Sequence, residues 1–400
     1  MEFRNQILKQ KIHIAQIYIV IILLIFLNRS DNPIISYSPF FVLIFFTFTN
    51  LLLQKKLFYK RSNTFTFYAP IIMFFLWLYG VLTGLLHNNN LEFIFRNFFG
   101  MSLYICFYFL HTFEIPLNKF LNIIINCCLI ILVYNFIDIK NIVSNIAINY
   151  FSERQLFDFN QIFLFTLFPI ILGSIILNYN IDNIFLNNKI KKYIIIFLVC
   201  FFSILLTQSK GIYISIIITI FAIVISLIKK LRNINIIYII LYIILIFFFL
   251  IIGFWFYYSS EIVILNDTDI SNLNRYEQID AILSELTFFG KGLGASFTTP
   301  ALIRDSDLPY ALEITYFNLS HKIGIFSLFA FYIYFKSILK AFSLVYNNDN
   351  FKILYGFMIL GLMTFIFPSI GNPLLFAPYA VFSHCLALYF INKIEIGQFH

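Results

Sequence analysis

Residues 238–256 read YIILYIILIFFFLIIGFWF. This run is close to the ~20 apolar residues that a helix needs to cross bilayer hydrocarbon. Apolar and polar positions do not alternate in it, as they would in a strand of a membrane β-barrel. Residues 194–202, IIIFLVCFF, behave the same way. Backbone in lipid must satisfy its own hydrogen bonds, so such runs predict helices.

Working outward, the same texture fills the chain. Of its 400 residues, 61% are hydrophobic and 12% are charged. A soluble domain is about half apolar and a quarter charged. Apolar blocks at 14–27, 34–53, 64–86, 91–111, 120–137, 159–177, 193–208, 211–228, 234–257, 311–335, 353–370 and 374–392 alternate with short polar clusters. The expected fold is all-α: a single integral membrane domain over residues 1–400, a polytopic helix bundle of about 12 transmembrane helices. The first block follows Arg4, Lys9 and Lys11 like a signal sequence. No small-residue cleavage site follows it, so it is expected to stay as an anchor.

The net charge is +8, but the basic residues flank the apolar blocks rather than forming a nucleic-acid patch. With the N-terminus placed inside, most lysines and arginines also fall inside, as the positive-inside rule requires. Both termini are then cytoplasmic. Cys106, Cys127, Cys128, Cys200 and Cys385 all lie within apolar blocks, so neither a disulfide framework nor a zinc site is expected.

The longest polar segment, 259–310, is expected as a large extracytoplasmic loop, longer than a helix connection needs. Within it, 271–289 predicts an amphipathic helix, with Ser271 or Asn272 as N-cap and Ile279, Ile282, Leu283 and Leu286 at helical spacing. Arg275 heads that apolar stripe, where it either meets an anionic group or snorkels towards water. Gly290-Lys291-Gly292-Leu293-Gly294 follows, either an anion-binding nest or a glycine cap and turn. It has no Lys-Ser/Thr pair, so it is not a P-loop.

Four basic residues, Arg154, Lys210, Arg275 and Arg304, stand on the outer side against the charge rule. An anionic substrate is a reason for them to be there. Glu313 stands near the start of the tenth block, as a general base or as an interfacial carboxylate. Arg96 follows Glu92 by four residues, a spacing for mutual neutralisation. His321 and Lys322 lie deeper in the tenth block, and His321 is expected as a buried polar contact between helices.

Three stretches resemble the O-antigen polymerase and O-antigen ligase superfamily of bacterial surface-polysaccharide assembly. Leu206-Thr207-Gln208-Ser209-Lys210-Gly211 is similar to its Thr-x-Ser-Arg-Gly turn. Arg275 followed by Phe288-Phe289-Gly290-Lys291-Gly292-Leu293-Gly294 is similar to its Arg…Pro-x-x-Gly-x-Gly stretch. Glu313-Ile314-Thr315-Tyr316 through Ile323-Gly324-Ile325-Phe326 is similar to its helix after the large loop. Ligases of this family carry a His-Asn pair where this chain has Glu313-Ile314, which favours the polymerase branch. Lys210 replaces an arginine and loses the bidentate fork.

The resemblance implies a glycosyltransferase at the inner membrane, joining undecaprenyl-pyrophosphate-linked oligosaccharide repeat units into O-antigen or a related lipopolysaccharide polymer. It implies Glu313 as base, with Asp307 or Asp305 in reserve. Arg275 and Arg154 would stabilise the leaving pyrophosphate, and Lys210, Arg304, Gly292 and Gly294 would bind it. It further implies membrane lipid, a chain-length regulator and a flippase as partners. No metal, no cofactor and no nucleic acid are expected. The alternatives are a ligase of the same superfamily or a lipid-linked oligosaccharide flippase. Against a flippase stand the long loop and the lack of internal repeats.

Overall fold

The computed structural model describes residues 2–27, 33–54, 64–130, 169, 217–226, 270–297 and 312–397, with interruptions at 118, 121, 128, 313, 348, 368 and 370–374. The described elements are helical. They are α1 (Glu2–Leu27), α2 (Pro33–Gln54), α3 (Thr64–Leu86), α4 (Leu91–Arg96), a 3-10 stretch (Phe99–Ile105) and α5 (Cys106–Leu110). After these come α6 (Ile270–Glu285), α7 (Thr315–Ile323), α8 (Ser327–Val345), α9 (Asn350–Leu362) and α10 (Pro378–Glu395), with 3-10 turns at Gly324–Phe326 and Thr364–Ile366.

Local chemistry sets several of these boundaries. The Asn90 side chain accepts from the Glu92 N–H at 2.9 Å and caps α4. Asp349 does the same for α9 through the Phe351 N–H, also at 2.9 Å. Pro378 opens α10 at a position where its missing N–H costs nothing. Gly324, at φ +59°, ends α7 in a conformation that favours glycine.

α10 is the central element. Its residues from Ala380 to Asn392 are all buried, among α3, α5, α8, α9 and the 3-10 stretch. A helix apolar all round must be enclosed, by a protein core or by lipid. Here the protein encloses it. Phe382, Leu386, Tyr389 and Phe390 pack into one core with Phe40, Tyr104, Phe107, Phe120, Tyr334 and Phe357. Thr66 Oγ1 donates to Asn392 Oδ1 at 3.1 Å and ties α3 to this core.

This architecture corrects the expected bundle of about 12 transmembrane helices. Among the described residues, two helical stretches are long and apolar enough to cross a membrane, Thr64–Leu86 and Thr315–Val345. The block at 91–111 breaks into α4, the 3-10 stretch and α5, each far short of a span. The block at 353–370 becomes a 13-residue helix and a 3-10 turn. The block at 374–392 is α10, sunk in the interior. In α10, apolar content taken from the sequence as lipid-facing is spent on helix-to-helix packing. The blocks at 159–177, 193–208 and 234–257 lie almost wholly outside the described residues.

The functional expectation falls with the architecture on which it stood. Among the described residues the fold is a packed helical domain, not that of a multi-pass polymerase, ligase or flippase of O-antigen assembly. The expected multi-pass inner-membrane placement, with cytoplasmic termini and an extracytoplasmic loop, is corrected for the same reason. The described part of that loop, 270–297, is folded onto α3 and α7.

Candidate functional site

A polar cluster lies where the turn after α6 meets the end of α7. It is built by backbone. The Lys291 N–H donates to the His321 carbonyl at 2.9 Å, and the Gly292 N–H to the Lys322 carbonyl at 2.8 Å. The last carbonyls of a helix have no partner within it, and here the turn supplies two donors. In return the Ile325 N–H donates to the Phe288 carbonyl at 2.9 Å.

The same turn is pressed onto α3. The Leu293 N–H donates to the Gly80 carbonyl at 2.8 Å. Asn89 Nδ2 donates to the carbonyls of Lys291 and Leu293, each at 2.9 Å. The Tyr79 hydroxyl donates to the Phe289 carbonyl at 2.8 Å. Such an approach needs glycine on both sides: a Cβ on Gly292 would sit 2.1 Å from the Gly84 nitrogen.

This clasp gathers four side chains. Lys291 Nζ pairs with Glu285 Oε2, whose side chain is largely buried. Lys322 is fully buried, and its Nζ donates to the Ala295 carbonyl. His321 is fully buried as well, its ring tilted against Phe297 at 5.1 Å between centroids. Among the described residues, neither of its ring nitrogens has a hydrogen-bond partner. Glu285 Oε2 stands 3.9 Å from Nε2.

Burial, reinforced by Lys322 and Lys291, brings His321 down to about 3, with Glu285 acting against it. The imidazole is therefore neutral near pH 7. Burial, reinforced by Lys291, brings the Lys322 ammonium down to about 7, again opposed by Glu285. Among the described residues, two amines thus feel the charge of one carboxylate, which is paired with Lys291, while Lys322 lies without solvent. A buried cation without a matched anion is costly. The arrangement can draw in a negative group and move a proton beside it.

The residues singled out from sequence are distributed unevenly. Arg275 is half-buried on α6. It lies ten residues before Glu285, about 15 Å along the helix, and outside the cluster. Gly292 and Gly294 are in the turn, at φ +80° and +75°. Their N–H groups go to the Lys322 carbonyl and, at 3.3 Å, to Asn97 Oδ1. The other N–H groups from 290 to 295 also meet protein acceptors. Glu313, Arg154, Lys210 and Arg304, with Asp305 and Asp307, lie outside the described residues. Arg96 and Glu92 form the ion pair their spacing suggested, at 2.8 Å and exposed. Among the described residues, no three His, Cys, Asp or Glu side chains converge as a metal site would require.

Glu285 and Lys291 went unnoticed as a pair. They are six residues apart across a helix end, outside the i,i+4 pattern. The available signal was a carboxylate closing an amphipathic helix just before a glycine turn that carries a lysine. Compared with known proteins, the chain matches no family model, no curated protein and no solved structure, and the site stands on its own geometry.

Proposed function

We propose that Glu285, Lys291, His321 and Lys322 form the working centre of this chain, a binding site for a phosphate-bearing anion with a proton acceptor beside it. The observation that carries this is the fully buried imidazole of His321, without a hydrogen-bond partner among the described residues, beside the Lys291–Glu285 pair and the buried Lys322 amine. An anion arriving near Lys291 relieves the excess of positive charge. It also stabilises the charged form of Lys322. His321 and Glu285 are the pair that would accept a proton from a hydroxyl held between them. Chemistry of this kind belongs to an enzyme acting on a phosphate-bearing substrate.

Inorganic pyrophosphate, the charged portion of the ligand class implied by the family resemblance, is the probe. Calorimetric titration of the full chain at pH 8, in buffers of different ionisation enthalpy, is expected to show binding with proton uptake. Lys322→Met should abolish the uptake and Lys291→Met should weaken binding at least tenfold. Binding that is absent, or indifferent to both substitutions, leaves the cluster as a structural clasp between α6 and α7.

A further inference from the structure

A second buried polar group lies away from that centre, where α8 and α10 meet the 3-10 stretch. Tyr104, Tyr334, Ser337 and His384 are all fully buried. The Tyr104 and Tyr334 hydroxyl oxygens are 2.9 Å apart. Tyr104 Oη is 2.7 Å from His384 Nδ1. Ser337 Oγ is 3.0 Å from His384 Nε2 and donates to the Ile333 carbonyl at 2.9 Å.

The protons in this group can be placed by elimination. Ser337 has one hydroxyl hydrogen, and the Ile333 carbonyl takes it. Its oxygen must therefore accept from His384 Nε2–H. In a neutral ring the other nitrogen is then an acceptor. Tyr104 supplies the donor for Nδ1. Its own oxygen is left to accept from Tyr334. Every donor is used and all point one way, from Tyr334 through Tyr104 and His384 to Ser337 and Ile333.

A second setting is also complete. With a proton on Nδ1, His384 donates to Tyr104. Tyr104 turns its hydrogen to Tyr334, and Tyr334 turns to the Leu375 carbonyl, now 3.4 Å away. We infer that these four side chains form a reversible hydrogen-bond relay, a clasp across the 3-10 stretch, α8 and α10. Loading one proton onto His384 flips both tyrosine hydroxyls and draws Tyr334 onto the Leu375 carbonyl.

The groups around it are neutral. Cys385 Sγ lies 3.8 Å from the Tyr104 carbonyl oxygen, and Cys106 is buried nearby on α5. Tyr316 of α7 acts on Tyr334. Among the described residues, no carboxylate or amine offsets a charge on the imidazole, and burial alone brings His384 down to about 3. The clasp therefore stays in its neutral setting until the solution is acid.

Nitrogen-15 NMR of the histidine-labelled full chain tests this without any substitution. His384, assigned by the signals lost in His384→Gln, should be the pure Nε2–H tautomer near neutral pH. Tyr334→Phe should leave that tautomer intact, because Tyr104 still donates. It should also move the acid titration of His384 at least half a pH unit lower, because Tyr104 then has no acceptor for its hydroxyl hydrogen when His384 is charged. Tyr104→Phe should keep the tautomer too, because Ser337 still takes the Nε2–H. A Nδ1–H tautomer in the unsubstituted protein, or an unmoved titration in Tyr334→Phe, would overturn the relay.

Discussion

Lys322 is a fully buried amine beside other charges. Its amine is enclosed and answers to one carbonyl, with Lys291 repelling and Glu285 attracting its charge. The folded chain holds that proton less tightly than the unfolded one, at about 7 against 10.5. Between those values the unfolded state binds more protons, so this residue's contribution to stability rises with pH. Below about pH 7 both states are protonated and the full penalty for the buried charge applies. Above about 10.5 it has vanished. Lys322→Met, close in shape and without charge, should therefore be more stable than the parent chain near pH 7 and lose that advantage by pH 10. Denaturant melts of both proteins across that range decide it; a constant difference would mean that the amine is not held in this way. The sequence pointed to His321 as a buried polar contact, because an ionisable group inside an apolar helix has few other places to go. For Glu285 it offered only the weak signal of a carboxylate closing an amphipathic helix, because its partners come from a turn and a separate helix.

At the scale of elements, α3 was legible and its neighbours only partly. An apolar run at 64–86 without polar interruption became Thr64–Leu86. The amphipathic helix expected at 271–289 stops at Glu285 instead. The carbonyls of Phe288 and Phe289 are needed by Ile325 and Tyr79, partners that helical periodicity does not reveal. The block at 311–335 is cut at Gly324, where a Cβ would lie 2.1 Å from the Phe288 carbonyl oxygen. The turn from 290 to 295 is thus a wedge shaped by glycines, driven between α3 and α7. Gly292 and Gly397 have similar positive φ, +80° and +72°, but Gly397 has nothing within 4 Å of an added Cβ. Gly397→Ala should cost about 1 kcal/mol, the left-handed strain alone. Gly292→Ala adds a clash with the backbone of α3 and should cost roughly 2 to 5 kcal/mol. Chemical denaturation of the two variants compares them directly. Equal costs would show that the turn is not wedged.

For the whole molecule, hydropathy located apolar helices but not what encloses them. α10 is the plainest instance: its composition suits lipid and core equally, and the difference lies in neighbours far along the chain. The buried polar residues differ from that apolar background, and among them three histidines share one electrostatic situation. His111 packs between the rings of Phe107 and Tyr389, each at 4.9 Å between centroids. His321 lies in the polar cluster and His384 in the tyrosine relay. Burial is the first cause in each case, and each is brought down to about 3. An unfolded chain takes up protons on all three near pH 6.5, while the folded chain resists until about 3. Between those limits the unfolded state binds more protons, so stability falls as the solution is acidified. Each histidine contributes about 1.4 kcal/mol per pH unit where its proton count differs fully. Thermal melts from pH 7 to 4 should show a midpoint that falls steeply below pH 6.5. His384→Gln and His111→Gln should lower the midpoint at pH 7, because each disturbs a buried contact, yet flatten the fall; His13, buried and lowered in the same direction, carries part of the remainder. A slope unchanged by both substitutions would place the acid sensitivity in the carboxylates rather than in these rings.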